Sequence, residues 1–376
     1  MDVPDLKALH SRRGVKWSEQ DADVVSATVA EMDFPLAEPV TAALEAAIAR
    51  HDVGYAPTHG SALPEALAGF AARRLGWTID PGQVTLMPDV MRGLVEMARV
   101  LAAPDRPVAF TMPAYPPFFA DLHEATSRLM PIPALPDGAV DLDALADALA
   151  TGVRVLVLAN PHNPTGRVAP VAELAAIAEL CAGAGAWVLA DEIHAPLVLP
   201  GAVHTPFLEV SDAARACGIV FTSASKAFNL AGLKAAMIVT ASTPARDAVA
   251  RLPPAIQKGV GILGVVAAEA ALTAGDEWLD AVLDQLDANR ELLGAQLRAY
   301  LPGVVWTPPA ATYLAWLDCR GLGLGVDPAA HFLTRGRVAL GPGPAYGADG
   351  FVRLNFGTSA EMVTEIIHRM AAAVGG

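Results

Sequence analysis

The chain has 376 residues, 53% of them hydrophobic, with 32 glycines, 30 prolines and a formal net charge of −14. That length exceeds one typical domain, and that hydrophobic content excludes a disordered or fibrous protein. The acidic balance argues against nonspecific attraction to nucleic acid or to an anionic membrane.

Residues 1–45 read as an irregular lead-in that contains Lys16-Trp17 and the stretch VAEMDFP at 29–35. Apolar positions at Val40, Leu44, Ala47 and Ile48 predict a helix over 40–51. A turn-rich loop, GYAPTHG, carries Tyr55 and ends at Gly60, and 61–76 reads as a helix opened by Ser61 or Pro64 and stopped by Gly76. Short apolar strands then alternate with helices. The strands are expected at 84–87, 108–111, 153–158, 187–190, 218–222 and 235–240, and the helices between them at 91–102, 142–149 and 171–184. Apolar strands covered by helices predict an α/β fold with a mostly parallel sheet buried on both faces. Helices follow over 262–272 and 277–300, then strands at 312–317 and 351–355 and a terminal helix over 359–373. The expected organisation is a large domain over 46–280 and a smaller one over 281–376, which the segment 1–45 joins.

Ligands in such sheets gather at the carboxyl ends of the strands. The chemically capable residues fall there. SASKAFNLAGLK, at 223–234, follows the apolar run GIVFT, and a lysine at a buried strand end must be paired, solvated or used covalently. The hydroxyls of Thr222, Ser223 and Ser225 together with Lys234 suit a phosphate, so Lys226 beside them suggests pyridoxal phosphate and an enzyme. Asp191 follows the preceding strand, 187–190, and suits a protonated pyridine nitrogen, although an aspartate there is also a common helix cap. Glu192 and His194 share that ambiguity.

NPHNPTG, at 160–166, is a turn by composition, from which the Asn163 amide would reach a cofactor oxygen. Tyr115 suits stacking on a flat ring and equally suits core packing. MPDVMRG, at 87–93, leads from a strand into a helix whose free amides favour a phosphate. Because the Asp89 carboxylate would repel that phosphate, the backbone amides of Val90 or Met91 are expected to face it instead. Arg353 suits a substrate carboxylate or a structural ion pair. Only His59, His162 and His194 among the histidines lie in suspicious loops, and no pair has metal-ligand spacing, so no metal is expected. Cys181, Cys217 and Cys319 are isolated and odd in number, which supports neither a disulfide framework nor a metal site. No segment reads as a signal peptide or a membrane span, so a cytoplasmic location is expected.

Taken in order, Lys16-Trp17, VAEMDF, Gly54-Tyr55, YPPF, NPHNPTG, ADEIH, SASKAFNLAGLK, TYLAWLD and VRLN resemble the fold type I pyridoxal-phosphate enzymes of the class I/II aminotransferase superfamily. More closely, they resemble its carbon-sulfur lyase branch, the MalY/PatB-like cystathionine β-lyases. The resemblance implies a mostly parallel seven-stranded sheet with helices on both faces and a smaller α+β domain. It also implies Lys226 as the Schiff-base lysine, Asp191 as the pyridine partner, Asn163 at the ring oxygen, Tyr115 as the stacking aromatic, and Ser223, Ser225 and Lys234 on the phosphate side. Tyr55 matches a tyrosine that reaches the neighbouring subunit's cofactor, which implies a homodimer with composite sites, and Arg353 matches the α-carboxylate anchor. Lysine at 234 and histidine at 194 suit the lyase branch. Asp89, Ala310 and Thr28 depart from the family's usual residues.

The expected reaction is α,β-elimination of cystathionine or a related S-substituted cysteine to a thiol, pyruvate and ammonia. Lys226 would act as base and, helped by Tyr55, as acid toward the departing sulfur; homocysteine as the thiol would put the enzyme in methionine biosynthesis. Transamination of small or apolar amino acids is the nearest alternative. A cofactor-binding regulatory protein with weak lyase activity is the other, and direct DNA binding is not expected.

Overall fold

The computed structural model describes residues 3–57, 60–102, 105–126 and 128–375. Its strands, in chain order, are β1 Val25–Ala27, β2 Val84–Met87, β3 Val108–Thr111, β4 Leu129–Ile132, β5 Val155–Ala159, β6 Trp187–Asp191, β7 Gly218–Thr222, β8 Ala236–Thr240, β9 Val305–Trp306, β10 Leu314–Asp318, β11 Val338–Pro342 and β12 Phe351–Asn355. Seven of them form one sheet in the order β2-β8-β7-β6-β5-β3-β4. The neighbours from β7 through β4 run parallel, whereas β8 is antiparallel to both β7 and β2. The sheet is thus mostly parallel, as its uninterrupted apolar strands led one to expect; every residue of β3, β5, β7 and β8 is buried.

The sequence pattern yields six of these seven strands and misses β4. Pro131 interrupts that strand, and β4 lies at the sheet edge, where a missing ladder donor is tolerated. Three other strands escape because they are short or interrupted, β9 with only two residues among them. β1 has three residues, and β11 ends in Gly341-Pro342. The helices lie close to their expected bounds, among them Glu38–Ala49, Leu63–Arg74, Val90–Leu101, Val171–Gly183, Ile262–Ala274 and Asp276–Tyr300.

The second sheet has the order β1-β11-β12-β10-β9. Its edge strand comes from the start of the chain: β1 pairs in parallel with β11, Val25 opposite Val338. The segment after β1 therefore leaves the second sheet and crosses toward the first. Helix Val90–Leu101 packs on the large sheet at close range, since a Cβ on Gly93 would lie 2.2 Å from Met87 Sδ. Glycine at 93 lets the first turn of that helix approach the ends of β2 and β7.

Candidate active site

A cleft of about 180 Å³ opens at the carboxyl ends of β5, β6 and β7, against the first turn of helix Val90–Leu101. The chain reaches it from each strand by a short loop, as the topology of a parallel sheet requires. Lys226, Asp191, Asn163, His194, Tyr115, Ser223, Ser225, Lys234, Val90 and Met91 all line it.

Lys226 follows β7, and its Nζ donates to the Ala30 carbonyl at 3.0 Å. Burial, then the Arg353 cation, lowers its pKa to about 8, against the opposing pull of Glu31 and Asp191. Its proton is therefore lost far more readily than that of a free lysine. Asp191 ends β6, and its Oδ1 accepts the Ile193 N–H at 3.1 Å. Burial pushes this carboxyl up to about 6, opposed by the Ile193 bond and by Lys226. It is still an anion at neutral pH.

Asn163 and Arg353, which the motifs assign to different ligand atoms, are bonded to each other: Arg353 Nη1 donates to Asn163 Oδ1 at 3.0 Å. Arg353 Nη2 donates to the Thr28 carbonyl at 2.7 Å, and the guanidinium lies over the Tyr346 ring at 5.0 Å. Arg353 is not itself among the residues lining the cleft, and it meets the cleft wall through Asn163. Its Nε and His194 Nδ1 are buried with no hydrogen-bond partner among the described residues. Burial, with Lys226 and Arg353, drives the His194 pKa down to about 3, so the ring stays neutral. Burial also raises the Tyr115 phenol above its ordinary range, which keeps it neutral as well.

At the opposite end the structure corrects one expectation, Thr222, and gives two other side chains partners within the chain. The Ser223 hydroxyl donates to the Ala235 carbonyl at 2.7 Å and accepts the Ser225 N–H at 3.0 Å, so its proton shapes the loop between β7 and β8. Thr222 is absent from the cleft wall and lines a separate hollow with Leu67 and Phe70. The Asp89 side chain, expected to leave the phosphate end to the amides, lines the cleft. Its Oδ1 caps the helix through the Arg92 N–H at 2.8 Å, and its Oδ2 accepts from Lys234 Nζ at 3.1 Å. The cation on Lys234, held in left-handed backbone at φ 58°, draws the carboxylate to that side.

Tyr55 is not brought to the cleft of its own chain; it is 95% exposed, with its backbone bridged to Gly261. Glu192 is buried below the site, accepting the Phe207 N–H at 2.6 Å and lying 3.2 Å from His204 Nε2. His162 bonds Thr165 Oγ1 at 2.8 Å and borders a different hollow. His59 lies outside the described residues. Among the described residues there is no cluster of three or more acidic, histidine or cysteine side chains that could hold a metal, and no helix is long and apolar enough to cross a membrane.

Sequence reasoning passed over Ala30 and Tyr313. The Tyr313 hydroxyl donates to the same Ala30 carbonyl as Lys226, at 2.8 Å. Ala30 lies in a segment fixed carbonyl by carbonyl: Thr28 by Arg353, Val29 and Glu31 by Asn355 Nδ2, and Met32 by Asn229 Nδ2. VAEMDF was visible as a motif. What no local pattern carries is that its backbone oxygens, rather than its side chains, meet the site.

The model of the aminotransferase class I and II family matches residues 23–370. Cystathionine β-lyase of Corynebacterium glutamicum is 36% identical over 377 residues, covering 100% of both chains. A crystal structure from Corynebacterium diphtheriae superposes with a TM-score of 0.95 at 36% identity, covering 100% of this chain and 99% of the other. The C-S lyase of Staphylococcus hominis, solved with pyridoxal phosphate bound, gives a TM-score of 0.89 at 26% identity over 99% of each chain.

Proposed function

The chain belongs to the aminotransferase class I and II family, in its MalY/PatB-like carbon-sulfur lyase branch, and from that premise we propose that it is a pyridoxal-phosphate-dependent β-lyase acting on cystathionine or a related S-substituted cysteine. The observation that carries the reading is Lys226, an amine of lowered pKa facing an anionic Asp191 across one cleft. The donor set fits the cofactor: an amine for its aldehyde, a carboxylate for its ring nitrogen, an amide for its ring oxygen, and a helix start with Ser225 and Lys234 for its phosphate. His194 Nδ1 and Arg353 Nε, buried and unpartnered among the described residues, are polar atoms left for a ligand.

Bound pyridoxal phosphate supplies an electron sink that acidifies the substrate's α-hydrogen and allows a β-thiolate to leave. Lys226 Nζ takes that α-proton, its lowered pKa keeping part of the population unprotonated near neutrality, and the same atom returns a proton to the departing sulfur. Asp191 stays ionised above about pH 6 and so favours a protonated pyridine nitrogen. Arg353 turns two guanidinium nitrogens to the substrate carboxylate in exchange for its bonds to Asn163 and Thr28. His194, neutral, supplies no competing charge near the amine. Tyr55, exposed on its own chain, is assigned to the cleft of a second copy, so the working unit is a homodimer. The cytosol is the assigned compartment.

The test is product analysis on the wild type and Lys226→Ala. Cystathionine without a keto-acid acceptor should yield a thiol and pyruvate, and the variant should lose about a thousandfold or more of that turnover. Turnover that demands a keto acid and releases no thiol would instead establish an aminotransferase. Full activity in Lys226→Ala would reject both.

A further inference from the structure

The phosphate end of the cleft already contains an anion, and it belongs to the chain. Asp89 sits at the mouth of the twelve-residue helix Val90–Leu101, where the aligned peptide dipoles favour negative charge, and its Oδ1 takes the Arg92 N–H. Its Oδ2 is 3.1 Å from Lys234 Nζ. Of the two attractions that would hold a phosphate, one carboxylate thus engages the lysine and one amide of the helix start, leaving the Val90 and Met91 amides to the phosphate. The nearby Arg92 gives no compensation, because its guanidinium is directed at Glu96 and Glu124, at 2.5 and 2.9 Å. Lys226, the other lysine of the cleft, is spent at the opposite end on Ala30. The side chains of Asp89 and Lys234 together bring no net charge to meet a dianion.

We propose that Asp89 is an internal competitor for the cofactor's phosphate, so that binding requires Lys234 to exchange the carboxylate for the phosphate and leaves the two anions as neighbours. This rests on the reading that the cleft takes pyridoxal phosphate. The consequence is a cofactor held more loosely, and a phosphate that contributes less to affinity, than the helix and lysine alone would give. Asp89 tunes cofactor retention; it does not take part in the reaction.

Asparagine at 89 keeps an acceptor for the Arg92 N–H and is a good N-cap, so Asp89→Asn removes the charge while preserving the helix start. Full-length protein freed of cofactor is titrated by absorbance with pyridoxal phosphate and, separately, with pyridoxal. Asp89→Asn should bind pyridoxal phosphate about tenfold more tightly than the wild type, with pyridoxal affinity unchanged. Inorganic phosphate should compete more strongly in the variant. Lys234→Met should weaken pyridoxal phosphate more in the Asp89→Asn background than in the wild type, because there the lysine has only the phosphate to serve. Equal or weaker binding of pyridoxal phosphate by Asp89→Asn would overturn the proposal and make Asp89 an orienting partner of Lys234; equal tightening of both compounds would overturn it as an effect not specific to phosphate. If neither protein took up either compound, the cofactor reading would fall with it.

Discussion

Two lysines, Lys16 buried and Lys226 half-buried, bond neighbouring carbonyls of the same segment, Lys226 to Ala30 and Lys16 to Glu31, and they do opposite things. Lys16 is 2% exposed and has a carboxylate 2.9 Å away in Asp33, which also accepts the Trp17 indole N–H at 2.8 Å. Lys226 has the carbonyl alone and faces cations at Arg353 and Lys234. Burial lowers the pKa of both, but Asp33 opposes the shift at Lys16, whereas Arg353 adds to it at Lys226. A lysine that holds a fold together is given a counter-ion. One that must shed its proton is denied a close one.

The contrast is broken most directly by making the same substitution twice. Lys16→Met leaves the buried Asp33 carboxylate with only the more distant Arg12, 3.9 Å away, as a cation, and a stability loss of about 3 kcal/mol is expected in denaturant unfolding. Lys226→Met removes a cation that the fold disfavours, so cofactor-free protein should be no less stable than the wild type. Equal destabilisation by the two would erase the distinction.

Asp191 sharpens the contrast from the acidic side. Its folded pKa, about 6, lies above the ordinary 3.8, so folding binds a proton between those values. Stability from this group is full below about pH 4 and is lost as the pH rises through 6, leaving a penalty on the order of 3 kcal/mol at neutrality in cofactor-free protein. Asp191→Asn keeps an oxygen for the Ile193 N–H and carries no charge. Its thermal midpoint should exceed that of the wild type at pH 7 and converge with it near pH 4; a constant difference across that range would mean that charge is not the cause.

The large sheet was legible because its strands are uninterrupted apolar runs separated by amphipathic helices. The site was legible because its side chains follow those strands in recognisable order, Asn163, Asp191 and then Lys226. What was not legible is what depends on contacts between distant segments. That β1 pairs with β11, that Ala30 takes both Lys226 and Tyr313, and that Asp89 turns to Lys234 are outcomes of packing between residues as much as 313 positions apart in the case of Val25 and Val338. The partners of Ser223, which lines the cleft as expected, were illegible for a related reason. Its hydroxyl suited a phosphate by composition, but the turn from β7 into the antiparallel β8 needed it first.

The smallest expected effect separates burial from charge at Lys226 itself. Capture of pyridoxal phosphate by this amine requires its unprotonated form, so the rate of uptake should rise with pH through a midpoint near 8. If burial alone set that midpoint, removing the guanidinium of Arg353 would leave it where it is. Because the Arg353 cation adds to the depression, Arg353→Met should move the midpoint upward by about one pH unit, while Arg353→Lys, which keeps the charge but loses the planar fork, should leave it near the wild-type value and weaken substrate binding instead. Absorbance-monitored uptake from neutral to alkaline pH reads the midpoint without any substrate. An unmoved midpoint in Arg353→Met would reduce the difference between the two lysines to the counter-ion that Lys16 has and Lys226 lacks.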